Sequence, residues 1–362
     1  MGSAPTICPD PYHVLLSELM LQQTQVTTVV AYFSRFVARF PTIQALAQAQ
    51  EQEVLRLWQG LGYYSRARHL HAAAQVIVAH HGGIVPWDVK TLLELPGIGR
   101  YTAGAIASLA YETRAPILDG NVQRVLCRVY GIEADPRERA VNARLWELAD
   151  AILPRRRVGD FNSSLMELGA LVCTPQSPSC LSCPVRLHCV AQQKGLQDRI
   201  PPARKAKPSP QLRRWVFCIA QEGKWLIEQR PSKGRWAGLW QFITLPAGTG
   251  VGAGVGVAKG KGNIAGVDTG VSTAAAGSPD ARRLAELGLT VNRLVGLGTI
   301  RHALTHRRYV FDAFACHLIG KPPASTQRRA WVTPAELARY PFSRPQLLIA
   351  ELAFAVYPAP QP

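Results

Sequence analysis

The run LPGIGRYTAGAI, from Leu95 to Ile106, constrains the fold of this 362-residue chain more than any other stretch. Pro96, Gly97 and Gly99 cannot continue the apolar helical pattern that ends near Leu95, so the chain must turn before a second helix starts at Tyr101. Two helices joined by a glycine hairpin follow. Glycine has no Cβ, so backbone N–H groups and the positive end of the second helix can closely approach an anion, and a DNA phosphate fits that description. Such a contact positions DNA without reading its sequence. Gly97 and Gly99 are therefore candidate DNA-binding residues, although the glycines alone suit an ordinary turn between two core helices equally well.

Two carboxylates add chemistry. Asp119 sits between PIL and GNVQRVL, where it can cap a helix that begins near Asn121. Capping alone is worth about 1 kcal/mol, and the helix N-terminus also favours an ionised carboxylate. Glu18 lies in PYHVLLSELMLQQTQV, and three of its helical neighbours, Val14, Leu15 and Leu21, are apolar, with Gln22 the fourth. Burial there raises the pKa of a carboxyl group, which is the state a general acid needs near neutral pH. A solvated glutamate at the rim of an amphipathic helix is the plain alternative. One neutral and one charged carboxyl group could flank a glycosidic bond.

At 47% hydrophobic residues the chain can bury two cores, and no uncharged apolar run reaches the ~18 residues of a membrane span. The start, MGSAPTICPDPYH, lacks the charged and apolar regions of a signal peptide. The expectation is a soluble intracellular protein, cytoplasmic and nucleoid-associated if prokaryotic, monomeric and without a membrane partner. Net charge is +17, of which +3 falls through Ile200 and +14 beyond it. Excess positive charge favours a polyanion partner, so the second half is expected to meet DNA as well.

Apolar residues recur at helical spacing over Val14–Phe40, Ile43–Gln59, Arg66–His80, Lys90–Leu95, Thr102–Ala110, Val122–Tyr130, Ala140–Leu153 and Phe161–Val172. An all-α domain over 1–196 follows. The basic, proline-rich run DRIPPARKAKPSPQLRR marks a linker, placed at 197–213. Beyond it, over 214–358, the β-prone runs RWVFCIA, KWLIEQR, LWQFITL and RRYVFDAFACHLI, with helices over Pro279–Gly288 and Arg344–Tyr357, predict a small α/β domain. Residues 247–277 are mostly Gly, Ala, Val and Thr with no aromatic, and read as a flexible insertion.

Four of the eight cysteines, Cys173, Cys180, Cys183 and Cys189, fall within 17 residues. In an intracellular chain a tetrathiolate metal site is preferred over disulfides. Zinc and a four-iron four-sulfur (4Fe–4S) cluster both accept four thiolates, and the single CxxC pair favours the cluster, in a structural and positioning role. Arg186, between the last two cysteines, could be held toward a phosphate.

SELMLQQTQV, GLGYYSRAR, LPGIGRYTAGAI, PILDGNVQRV, FNSSLMELGALVC and the cysteine run together resemble the MutY family of adenine DNA glycosylases, in the helix-hairpin-helix superfamily, over nearly all of Pro9–Ala191. The resemblance implies a helix-hairpin-helix domain with a 4Fe–4S loop, followed by a Nudix-like domain. It implies base-excision repair, with hydrolysis of the N-glycosidic bond of adenine opposite 8-oxoguanine or guanine in duplex DNA. Glu18 would protonate N7 of a flipped adenine and Asp119 would stabilise the oxocarbenium ion, while Tyr101 and Asn121 help hold the acid, the carboxylate and the base. Gln22, Gln23 and Tyr63 fall on positions that probe the duplex where the base leaves it, at a stacking cost of about a few kcal/mol. The related endonuclease III type has lysine where Tyr101 stands; a phenol cannot form its Schiff base, so a monofunctional enzyme without efficient strand cleavage is expected.

GRWAGLWQF and the run from His302 to His306 resemble the lesion-recognition domain of the same family. Leu304, Thr305 and His306 replace its Phe-Ser-His loop, and the Thr305 hydroxyl could detect the hydrogen at N7 of 8-oxoguanine. ARRLAELGL lacks the clustered glutamates of a Nudix hydrolase, so nucleotide hydrolysis is not expected. Two departures stand out. Relatives carry a further helix and a Leu-Pro-Trp segment before the region of Pro11, so a misassigned start or a weakened enzyme is expected, and Ser163 stands where relatives tend to have Gln or Glu. A catalytically silent DNA-binding relative, an endonuclease III-like lyase and a nucleotide-pool hydrolase are the rival readings.

Overall fold

The computed structural model describes residues 9–203, 209–247, 282–292, 294–304, 307–326 and 328–356. Thr305, His306 and the expected insertion after residue 247 lie outside the described residues. The chain divides into two compact units, Met1–Val54 with Ser65–Ala206, and Leu55–Tyr64 with Lys207–Pro362.

The described elements of the first unit are helical. The run expected over Val14–Phe40 is two helices, α1 (Pro11–Leu21) and α2 (Val26–Arg39), because Gln23 adopts a left-handed φ of +58° between them. Asp10 starts α1 by accepting from the N–H groups of Tyr12 (2.8 Å) and His13 (3.1 Å), with Pro11 at the first helical position. The run over Ile43–Gln59 also divides, into α3 (Ile43–Gln48) and α4 (Glu51–Leu57), where Ala49 turns to extended backbone. Helix α5 (Ser65–His80), α6 (Val89–Glu94) and α7 (Arg100–Tyr111) follow.

Helix α7 is buried on nearly all sides from Thr102 to Ser108, which its small residues permit. A Cβ on Gly104 would lie 2.3 Å from the carbonyl oxygen of Pro116, so the strand-like segment leading to Asp119 can approach only because this position is glycine. Around it pack α8 (Gly120–Tyr130), α9 (Arg139–Ala151) and α10 (Val158–Glu167), sharing a core of Ile117, Val122, Leu126, Leu145 and Trp146. Helix α10 widens into a π-helical turn over Leu168–Val172, and a short α11 (Val190–Gln193) closes the cysteine loop.

The second unit is built on a six-stranded mixed sheet of β1 (Gln211–Gln221), β2 (Lys224–Gln229), β3 (Trp240–Pro246), β4 (Val295–Leu304), β5 (Arg307–His317) and β6 (Arg329–Val332), in the order β4-β5-β1-β3-β2-β6. β1 runs parallel to β5 and the other ladders are antiparallel. One face, with Val216, Cys218, Ile227 and Phe242, packs with Ile349 and Ala353 of α13 (Arg344–Val356). The other, with Phe217, Ile219 and Leu226, packs with Leu284 of α12 (Arg282–Ala285). Burial on both faces explains why these strands read as continuous apolar runs rather than as alternation. Among the described residues no helix is long and apolar enough to cross a membrane.

Candidate active site

The hairpin forms as its glycines require. Gly97 takes φ +77°, and a Cβ there would lie 2.4 Å from Cβ of His69. Gly99 has ordinary extended backbone and serves as the N-cap of α7 with no side-chain cap. The first N–H groups of α7 are thus left for an outside acceptor, and Gly97, Gly99 and Arg100 are exposed. The Arg100 guanidinium lies 3.9 Å from the ring centroid of Trp146, which fixes a cation beside the hairpin.

Tyr101, one step into α7, reaches α1. Its Oη donates to Glu18 Oε2 at 2.8 Å and lies 3.3 Å from Met166 Sδ. Glu18 is only 5% exposed, and burial pushes its pKa from 4.5 to about 7; the Asp119 charge adds to the rise and the Tyr101 hydrogen bond opposes it. Burial, together with the Glu18 charge, raises the Tyr101 pKa as well, so the phenol remains a donor. Glu18 therefore exchanges a proton near neutrality inside an apolar wall, as a general acid must.

Asp119 is the N-cap of α8, and its Oδ1 accepts from the N–H of Val122 at 2.7 Å. The sequence suggested that the helix N-terminus would favour the ionised form; instead burial outweighs the bonds from Val122 and Asn121 and raises the Asp119 pKa above 3.8. Asn121 Oδ1 accepts from Arg124 Nη2 at 2.9 Å, and Arg124 also donates to the carbonyls of Cys173 (2.7 Å) and Gly169 (2.6 Å). A Cβ on Gly169 would lie 2.7 Å from Asn121 Cβ, so the π-helical turn can rest against Asn121 only with glycine there.

Cys173, Cys180, Cys183 and Cys189 line one recess together with Arg128 and Arg186. Burial and the other three thiols raise the Cys180 pKa, so Cys173, Cys183 and Cys189 all lie within electrostatic reach of Cys180. Arg128, 3% exposed, donates from Nη1 to Cys173 Sγ (3.3 Å) and Thr174 O (2.7 Å), from Nη2 to Pro175 O (3.2 Å) and from Nε to Ile200 O (2.8 Å). Among the described residues no three His, Cys, Asp or Glu side chains are grouped so that they could hold a single metal ion.

The duplex-probing candidates carry backbone strain. Gln23 at φ +58° and Tyr63 at φ +46° are both exposed and left-handed, which costs a non-glycine residue about 1–3 kcal/mol. Gln22 is held differently, with Nε2 donating to Thr102 Oγ1 at 3.2 Å. Sequence reasoning missed Arg66, Arg124, Arg128, Gly104 and Gly169. A glycine inside a helical pattern was the available signal for Gly104. In the second unit the strands flanking positions 305 and 306 pair Leu304 with Arg307, and Trp236 at φ +53° packs its ring 5.0 Å from Tyr309 and 6.0 Å from His302.

Known proteins share both units. The family described as HhH-GPD superfamily base excision DNA repair protein matches residues 16–151, and the NUDIX domain family matches 214–352. An adenine DNA glycosylase of Rattus norvegicus is 38% identical, with 87% of this chain and 66% of the relative aligned. That of Homo sapiens is 40% identical over 64% of this chain and 51% of the relative, and that of Buchnera aphidicola subsp. Schizaphis graminum is 40% identical over 64% and 67%. A solved structure of a thermostable thymine-DNA glycosylase aligns at 31% identity and a TM-score of 0.47, covering 51% of this chain and 85% of that one. The chain spans about half to two thirds of the length of these curated relatives.

Proposed function

This chain belongs to the adenine DNA glycosylase family, and from that premise we propose that it removes adenine from duplex DNA in which adenine is mispaired with 8-oxoguanine or guanine. The observation that carries the proposal is Glu18, buried, hydrogen-bonded to Tyr101 and titrating near 7, set within electrostatic range of the Asp119 carboxylate. The hairpin N–H groups and the Arg100 cation bind backbone phosphate, and the exposed Gln23 and Tyr63 enter the duplex where adenine is extruded. Glu18 gives its proton to N7, the C1′–N9 bond breaks with its electron pair passing to the base, and Asp119 as carboxylate stabilises the oxocarbenium ion left on the sugar. Water, or a transient bond from Asp119 that water then hydrolyses, completes the reaction. Tyr101 offers no amine, so no Schiff base forms and the strand is not cut.

The four cysteines suit a 4Fe–4S cluster better than zinc. Zinc needs four sulfurs each about 2.3 Å from one point, whereas the irons of a cube take one thiolate each. These thiols share a recess without being grouped about a single ion. When bound, the cluster supplies a brace for the loop between Cys173 and Cys189 rather than chemistry on the base. The second unit is the candidate reader of the base opposite adenine, with the Thr305 hydroxyl, on chemistry alone, as the group suited to the hydrogen at N7 of 8-oxoguanine. The test is single-turnover cleavage of duplexes carrying adenine opposite 8-oxoguanine, developed with and without alkali. Base loss that yields strand breaks only after alkali supports the proposal. Breaks without alkali, or a borohydride-trapped adduct, favour a lyase; no base loss favours a silent DNA-binding protein.

A further inference from the structure

Arg66, on the first turn of α5, is 6% exposed within the first unit. Its Nη1 donates to the carbonyls of Leu19 (2.8 Å) and Met20 (2.9 Å) and to that of Gln22, and its Nη2 donates to Thr24 Oγ1 (3.2 Å). The first two carbonyls belong to the last turn of α1, the helix that carries Glu18. Helix ends leave their final carbonyls without intrahelical donors, and a cation there also complements the helix dipole. The usual device for closing such an end is a glycine in the left-handed region. Here that region is occupied by Gln23, so a guanidinium brought in from another helix makes the closure. A second tether lies alongside: Gln22 Nε2 bonds Thr102, the neighbour of the Tyr101 that donates to Glu18.

We infer that Arg66 is a positioning residue for excision: by bonding the end of the catalytic helix and the loop after it, it holds Gln22 and Gln23 in the shape that enters the duplex. The inference rests on the glycosylase reading above. Lysine would keep the charge but replace a planar fork that reaches four acceptors from two nitrogens with donors on one nitrogen only.

In the full chain, Arg66→Lys should speed hydrogen exchange of the amides of residues 22–25 about tenfold. It should also lower about tenfold the fluorescence that reports extrusion of 2-aminopurine placed at the target adenine. The pH midpoint of the residual excision should stay where Glu18 sets it. Thr24→Val, which deletes the Nη2 acceptor together with the hydroxyl's own bond to the Gln22 carbonyl, should give the same pattern in smaller measure and guards against a lysine variant that does not fold; Thr24→Ser, which keeps both bonds, should behave as the parent. Unchanged exchange over 22–25 in both variants overturns the inference, as does a loss of extrusion that merely tracks a lower melting temperature. A parent chain that neither extrudes nor excises overturns the glycosylase reading instead, and the exchange data then still decide whether Arg66 holds this loop.

Discussion

Glu18→Gln should abolish excision and at the same time stabilise the protein, by an amount that grows with pH. In the folded chain this carboxyl titrates near 7, against 4.5 for an unhindered glutamate. Below about pH 4.5 folded and unfolded chains both hold the proton and burial carries no ionic cost. As pH rises the unfolded chain releases its proton first, so stability falls by about 1.4 kcal/mol per pH unit until the folded chain also ionises. The full loss, about 3 kcal/mol, is reached above pH 7. Glutamine does not ionise and escapes the loss, while its Oε1 can still accept from Tyr101. Urea unfolding of parent and variant should therefore coincide near pH 4.5 and differ by about 3 kcal/mol at pH 8, read from the transition of the first unit because two units need not melt together. Excision by the variant should fall about 10²–10⁴-fold, and excision by the parent should decline above pH 7 as the acid loses its proton. A stability gap that stays constant between pH 4.5 and 8 would show that Glu18 does not titrate in this range, and its assignment as the acid would lose its basis.

The other expectations concern charge, hairpin and cysteine loop. Asp119→Asn keeps a good helix cap, so its melting should stay within a few tenths of a kcal/mol of the parent, yet excision should drop at least about 10²-fold; Asp119→Ala should in addition lose about 1 kcal/mol of stability. Retained excision by the asparagine variant in single-turnover assays would exclude a carboxylate role. Gly97→Ala places a Cβ against His69 at a left-handed φ, so duplex affinity should fall and the slope of log affinity against log salt should shrink by about one phosphate contact; an unaltered slope would remove the hairpin from the DNA interface. Arg128→Gln leaves Cys173 Sγ and up to three carbonyls without their donor, so the purified variant should hold less iron, measured as iron per chain and visible absorbance, and parental iron content would refute the assignment.

Which parts of this site could be read in advance depended on the range of the forces that make it. The Asp119 cap bonds a residue three positions on, and the apolar neighbours of Glu18 within one helical turn mark its face as the one that packs inward, so both were visible in short words of sequence. The Tyr101 phenol meets Glu18 across 83 positions, and only family resemblance pointed there. The division of the Val14–Phe40 run was not visible, because apolar spacing continues through Gln23 while its backbone does not. Strands β4 and β6 were also missed: β4 is interrupted by a register shift between Gly296 and Gly298, and β6 has four residues.

Arg124 and Arg128 are the more instructive misses. Four residues apart on α8, they look like a solvated ridge, yet both are buried. Like charges at that spacing repel on an exposed helix, so their presence was itself a sign that each has acceptors elsewhere. The acceptors off the helix are the carbonyls of Gly169, Cys173, Thr174, Pro175 and Ile200, with Cys173 Sγ. One helix of 11 residues, about 16 Å long, thus carries the reacting carboxylate at its N-cap and grips the cysteine loop along one side. Asp119 is held on α8 by the Val122 N–H and by Asn121, and Asn121 is itself bonded by Arg124 and backed by Gly169 of the turn that leads into Cys173. A change that loosens the first cysteine thus has a bonded route, through Arg124 and Asn121, to one side of the carboxylate, and the cysteine loop can act on catalysis without supplying a reacting atom.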